Sequence, residues 1–140
     1  MPVGTTGISR LSRRCLFLGA VLMAFGVMLG AFGAHGLGSV LTAKQLASYQ
    51  TAVLYHLLHA LGLLLVGIVA QVTAESTPLR WSARLMLAGC VFFSGSIYLM
   101  TAGAPRWLGM VAPVGGMAFM AAWSLLAWHA LRATPASGRG

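Results

Sequence analysis

Tyr55-His56-Leu57-Leu58-His59, set inside the apolar run from Tyr49 to Ala70, decides the class of this chain. The run contains no Asp, Glu, Lys or Arg and is long enough to cross the hydrocarbon of a bilayer at about 1.5 Å per residue. A histidine in hydrocarbon loses its hydration, and only a partner can replace it. Tyr55, His56 and His59 are therefore expected to face protein, water or a ligand rather than lipid.

Three further apolar runs flank this one. Arg13 and Arg14 precede the first, about 16–34; the others cover about 85–102 and 108–131, so the chain is read as a four-span domain over 16–131. Residues 1–15 and 132–140, rich in Gly, Ser, Thr and Arg without periodicity, are expected to be flexible tails. A cleavable signal peptide and a twin-arginine export signal over Ser12-Arg13-Arg14-Cys15-Leu16-Phe17 are the alternatives to a retained first helix, and the three later spans favour retention. Between the first two spans, Gly36 and Gly38 break the helix, and Thr42-Ala43-Lys44-Gln45 has the spacing of a capping box that starts the next one. A short interfacial turn is expected there, with Tyr49 at headgroup level. Gln71 to Arg84 is read as a solvated connection, Gly103 to Trp107 as a tight turn, and Pro113 as a bend near the start of the fourth span.

Composition supports a bilayer and narrows the partners. The chain is 59% hydrophobic and only 7% charged, against roughly 25% charged in soluble domains. Its net charge of +8 comes from nine basic residues and the single acid Glu75. The basic residues lie at the edges of apolar runs instead of forming a stripe, which argues against nucleic acid and for membrane orientation. Arg10, Arg13, Arg14, Arg80, Arg84, Arg132 and Arg139 fall on one side of the predicted topology, and Lys44 and Arg106 on the other. Short basic loops stay in the cytoplasm. The expectation is an all-α, integral membrane four-helix bundle of the cell inner (cytoplasmic) membrane, with both termini cytoplasmic. Its expected partners are the lipid bilayer and other membrane proteins or a second copy of itself.

Within this frame, two groups of residues stand out. Gly26, Gly30 and Gly33 in the first span, Gly95 in the third, and Pro113, Gly115 and Gly116 in the fourth are small or helix-shaping residues that allow close approach of neighbouring helices. His35, Tyr55, His56, His59, Ser94, Ser96 and Tyr98 share one depth toward the side opposite the termini, so a polar cluster there is expected. Hydrogen bonding between helices is the simplest use of such a cluster. Metal binding by His35, His56 and His59 is the weaker option, because no carboxylate or cysteine accompanies them. Proton or solute handling meets the difficulty that the spans contain no Asp or Glu. Ser94-Gly95-Ser96 lacks the full G-x-S-x-G pattern, so no enzyme, cofactor or catalytic residue is expected. Cys15 and Cys90 have no CxxC spacing, and both, like the dispersed methionines, are expected to fill space. His129 is expected to be an interfacial residue of no special role.

Four motifs taken together carry a resemblance: Gly30-Ala31-Phe32-Gly33-Ala34-His35-Gly36, Tyr55 through His59, Phe93-Ser94-Gly95-Ser96-Ile97-Tyr98, and Pro113-Val114-Gly115-Gly116 with Trp123. In this order they resemble the domain of unknown function 423 family of small membrane proteins, over roughly Leu16 to Leu131. The resemblance implies a four-helix integral membrane protein and no activity. It favours His35 and His59 over His56 as site members. No motif specifies a reaction or substrate.

Overall fold

The computed structural model describes residues 7–135; the parts of the expected tails at 1–6 and 136–140 lie outside the described residues. Four helices follow one another: α1 Arg10–Gly36, α2 Ala43–Val72, α3 Thr77–Thr101 and α4 Arg106–Arg132. Each is long and apolar enough to cross a membrane, and no named strand occurs among the described residues. The all-α membrane bundle expected from the apolar runs is the observed architecture.

The expected boundaries need correction at both tails and at two connections. α1 starts six residues before Leu16, because the Ser9 side chain accepts from the Ser12 N–H at 3.1 Å and caps the helix. The Ser9 N–H in turn donates to Gln71 Oε1 at 3.2 Å, fixing the start of α1 to the end of α2. Arg10 to Cys15 is thus helix, with Ser12 and Cys15 buried. At the other terminus the Ala74 N–H donates to the Thr134 carbonyl at 3.1 Å, so the chain is tied down just beyond α4. The connection expected over Gln71–Arg84 shrinks to Thr73–Ser76. Ser76 caps α3 through the Leu79 N–H, and Pro78 occupies the first turn, where its missing donor is harmless. Leu79, Ser82, Ala83 and Met86 face inward at helical spacing, while Arg80, Trp81 and Arg84 point outward. That outward face gives the segment its loop-like composition.

Thr42 and Gln45 form the expected capping box. α2 then runs without a break, so there is no separate interfacial turn. Tyr49 is buried instead of sitting among headgroups: its ring lies over Gly33, and its hydroxyl donates to the Leu29 carbonyl of α1 at 2.8 Å. Cys90–Gly95 is a π-helical segment inside α3. The wider turn re-aims the side chains that follow it. The turn into α4 uses Gly103, whose φ of 96° lies in the left-handed region that glycine tolerates. α4 opens with a 3-10 segment, Arg106–Met110, before regular helix from Ala112 to Arg132. Pro113 falls in the first turn of that regular helix and is exposed, so it starts the helix and does not bend it or pack against a neighbour.

α2 is the most buried helix; α1 packs along one side of it, α3 along the other, and α4 against α3. One core cluster centres on Leu63, Val66, Leu79, Met86 and Ala122 in the half nearer the termini, and a smaller one on Leu37, Tyr49 and Val53 in the other half. Glycines set the close approaches. Gly19, Gly26 and Gly33, seven residues apart on α1, accept Leu64, Leu57 and Tyr49 of α2, whereas Gly30 lies more loosely against Val53. Gly89 of α3 accepts the Phe119 ring, and Gly115 of α4 lies against the Phe93 backbone. Gly95 and Gly116 were expected to pack against a neighbouring helix and do not. A side chain on Gly116 would meet nothing within 4 Å, and one on Gly95 would touch only its own helix.

Gly115→Ala would drive a methyl group into the Phe93 backbone, which cannot rotate away, and is expected to destabilise the fold by about 1–3 kcal/mol. Gly116→Ala is expected to be neutral or to stabilise by up to about 1 kcal/mol, through helix propensity alone. Denaturant unfolding of the two variants in detergent checks this, and equal effects would count against the close α3–α4 contact.

Candidate functional site

The polar residues expected to converge divide into two groups around α2. On the side facing α1, His56 Nδ1 and the Tyr98 hydroxyl of α3 lie 3.2 Å apart, one donating to the other according to the imidazole tautomer. The Tyr98 ring packs against Tyr49 with centroids 5.4 Å apart. His56 is 6% exposed, and its Nε2 is buried without a hydrogen-bond partner.

On the side facing α4, His59 Nδ1 lies 2.7 Å from the Tyr55 carbonyl. A carbonyl only accepts, so Nδ1 carries the proton, and in the neutral ring Nε2 is left as an acceptor. The ring stacks on Phe119 with centroids 3.3 Å apart and planes 15° apart, beside Trp123. Tyr55 joins this aromatic group, with its ring 4.8 Å from Phe93. Contrary to the expectation that it would be shielded from lipid, it is 38% exposed, because its hydrocarbon ring tolerates that contact.

The serines serve backbone. Ser94 donates from α3 to the Ala52 carbonyl of α2 at 2.9 Å in a fully buried position, and Ser96 donates to the Phe93 carbonyl within α3. His35, expected to belong to the cluster, sits exposed at the end of α1 and joins neither group, because its helix ends one residue later. His35, His56 and His59 therefore do not form the three-imidazole arrangement considered for a metal. Among the described residues no three His, Cys, Asp or Glu side chains are grouped to hold one.

Two residues missed in the sequence have clear roles. Ser82 donates across α3–α4 to the Ala122 carbonyl at 2.8 Å. It was hidden by the loop-like composition around it. His129, expected to have no special role, is 3% exposed and clamps α4 to the α2–α3 connection. The Thr73 hydroxyl donates to the Val69 carbonyl at 2.8 Å, so its oxygen accepts from His129 Nε2–H at 3.0 Å. His129 Nδ1 then accepts from the Ser76 hydroxyl at 2.7 Å, and Ser76 Oγ accepts from the Leu79 N–H. In the neutral ring this arrangement puts the proton on His129 Nε2 and leaves Nδ1 as the acceptor. Beside it lies a cleft of about 290 Å³, bordered by Glu75, Trp128, His129, Arg132 and Thr134.

His129→Ala leaves Thr73 and Ser76 without their buried partner and is expected to cost about 1–3 kcal/mol. Protease cleavage in the Thr73–Ser76 connection should rise with it, while His35→Ala should change neither unfolding nor cleavage. A His35 variant as unstable as the His129 variant would contradict this assignment.

With the geometry in place, comparison with known proteins adds identity but no chemistry. The model for the protein family of unknown function DUF423 matches residues 29–116. A UPF0382 membrane protein of Staphylococcus haemolyticus, SH2409, is 40% identical over 79% of this chain and 89% of its own length. The UPF0382 membrane protein YwdK of Bacillus subtilis is 38% identical over 84% of this chain and 95% of its own. The UPF0382 inner membrane protein YgdD of Escherichia coli K12 is 36% identical over 86% and 92%. No solved structure matches. The chain is a multi-pass membrane protein that belongs to the DUF423 family of proteins of unknown function.

Proposed function

We propose that the chain is a non-enzymatic structural or accessory component of the cell inner membrane, with both termini on the cytoplasmic side. One observation carries the reading: three buried polar side chains of the spans bond to carbonyls on neighbouring helices and so hold the helices in register. Ser82, Ser94 and Tyr49 each donate to a carbonyl on a neighbouring helix. His59 donates within its own helix and is covered by Phe119. A hydroxyl whose proton is held by a carbonyl is poorly placed to act as a nucleophile. Such bonds contribute roughly 0.6 kcal/mol each in lipid, enough together to fix the rotation of each helix. The orientation rests on the contacts Ser9–Gln71 and Ala74–Thr134, which gather the described ends of the chain and the α2–α3 connection at one end of the bundle. Arg10, Arg13, Arg14, Arg80, Arg84 and Arg132 lie at that end, whereas Lys44 and Arg106 lie at the other. The inner-membrane placement follows the relative YgdD, which is named an inner membrane protein.

A second reading, handling of a small solute or of protons, is favoured by the unpartnered Nε2 of His56. One experiment separates the two. The purified protein is reconstituted in vesicles carrying a pH-sensitive dye and, in parallel, cross-linked in its native membrane. The accessory reading expects proton leakage equal to that of empty vesicles and a saturable cross-link to one membrane protein that survives His56→Gln. Leakage above the empty-vesicle level that His56→Gln abolishes would overturn it in favour of the second.

A further inference from the structure

The cleft beside His129 has features that helix packing does not require. The Arg132 guanidinium lies over the Trp128 ring, 4.1 Å from its centroid, at the mouth of the cleft. On neighbouring α3, Arg84 lies over Trp81 at 5.1 Å. Both indoles are half exposed, and Leu131 next to Arg132 is 84% exposed. At the end of α4 an exposed cation, an indole ring and an exposed aliphatic chain therefore lie within five residues of one another, where the apolar span gives way to the basic segment. Glu75, the single acid of the chain, borders the cleft, and its carboxylate is held by Arg80 at 3.1 Å.

We propose that this cleft holds the head group of an anionic phospholipid, with Arg132 on the phosphate. The planar guanidinium fork matches two phosphate oxygens. Stacking on Trp128 orients that fork without neutralising it. Among the described residues Arg132 makes no salt bridge to compete for it. His129 cannot serve as a direct ligand, because both ring nitrogens are engaged by Thr73 and Ser76; its part is to hold the wall of the cleft in place. A lipid fits better than a soluble anion because Trp128 and Leu131 offer apolar surface beside the charge, where acyl chains would run. The excess of arginine at this end, Arg10, Arg13 and Arg14 included, attracts anionic lipid to the site from the surrounding leaflet.

The test is binding of phosphatidylglycerol and phosphatidylcholine to the full-length protein in detergent, read as lipid-bound species by native mass spectrometry. Selective binding of phosphatidylglycerol is expected, with the selectivity falling about fivefold in Arg132→Gln, the effect of one arginine at an anionic surface. Arg14→Gln, away from the cleft, should keep most of it. Trp128→Leu preserves apolar surface and should also lose selectivity, which keeps the proposal testable if Arg132→Gln fails to fold. Equal binding of the two lipids, selectivity unchanged in the cleft variants, or competition by millimolar inorganic phosphate as effective as the lipid itself would each overturn it.

Discussion

In hydrocarbon no water is available to replace a missing hydrogen bond, and this constraint governs how the four helices fit together. Buried polar side chains draw their partners from protein, most often helix carbonyls, and among the described residues Ser12 Oγ and His56 Nε2 are buried without one. Tyr49 takes the carbonyl of Leu29, Ser94 that of Ala52, and Ser82 that of Ala122. Each links a different pair of helices, so α1–α2, α2–α3 and α3–α4 all carry a buried side-chain bond to backbone. Apolar packing in lipid specifies helix rotation weakly, because lipid tails are as apolar as leucine. These bonds supply the missing specificity.

Close approach makes the bonds geometrically available. Gly33 leaves room for the Tyr49 ring, which lets its hydroxyl reach the Leu29 carbonyl on the same helix. Gly89 accepts Phe119 and Gly115 lies on the Phe93 backbone, so α3 and α4 sit near enough for Ser82 to reach Ala122. Glycine in a helix costs roughly 1 kcal/mol relative to alanine, and here that cost is offset by contacts that a larger residue would prevent. The π-helical segment Cys90–Gly95 belongs to the same design, since it contains Ser94 and precedes Ser96 and Tyr98, all three of which turn toward partners.

The two ends of the bundle differ in chemistry. The end away from the termini is joined by short turns and carries few charges. The end with the termini is tied by Ser9 to Gln71, by Ala74 to Thr134 and by the His129 clamp, so α1, α2, α3 and α4 all meet there. Arginines and indoles surround that junction. Inside the bundle Tyr49, Ser82 and Ser94 are bonded to carbonyls of neighbouring helices, whereas at this junction Arg10, Arg13, Arg14, Arg80, Arg84 and Arg132 are exposed.

The sequence by itself determined the solvent, the number of spans and the capping box at Thr42, because long uncharged runs and local backbone chemistry depend only on nearby residues. It also singled out Gly26, Gly33 and Gly115 as packing positions and Ser94, His56 and Tyr98 as polar groups needing partners. What the tertiary structure alone decided is which partner each one meets. In lipid, the core-facing and lipid-facing sides of a helix are both apolar, so periodicity does not fix rotation about the helix axis. His35 therefore falls outside the group it was expected to join, His59 turns to Phe119 while His56 turns to Tyr98, and Gly116 faces open space one residue after buried Gly115. The same limit hid Ser82 and His129, whose roles exist only where α3, α4 and the α2–α3 connection meet in space.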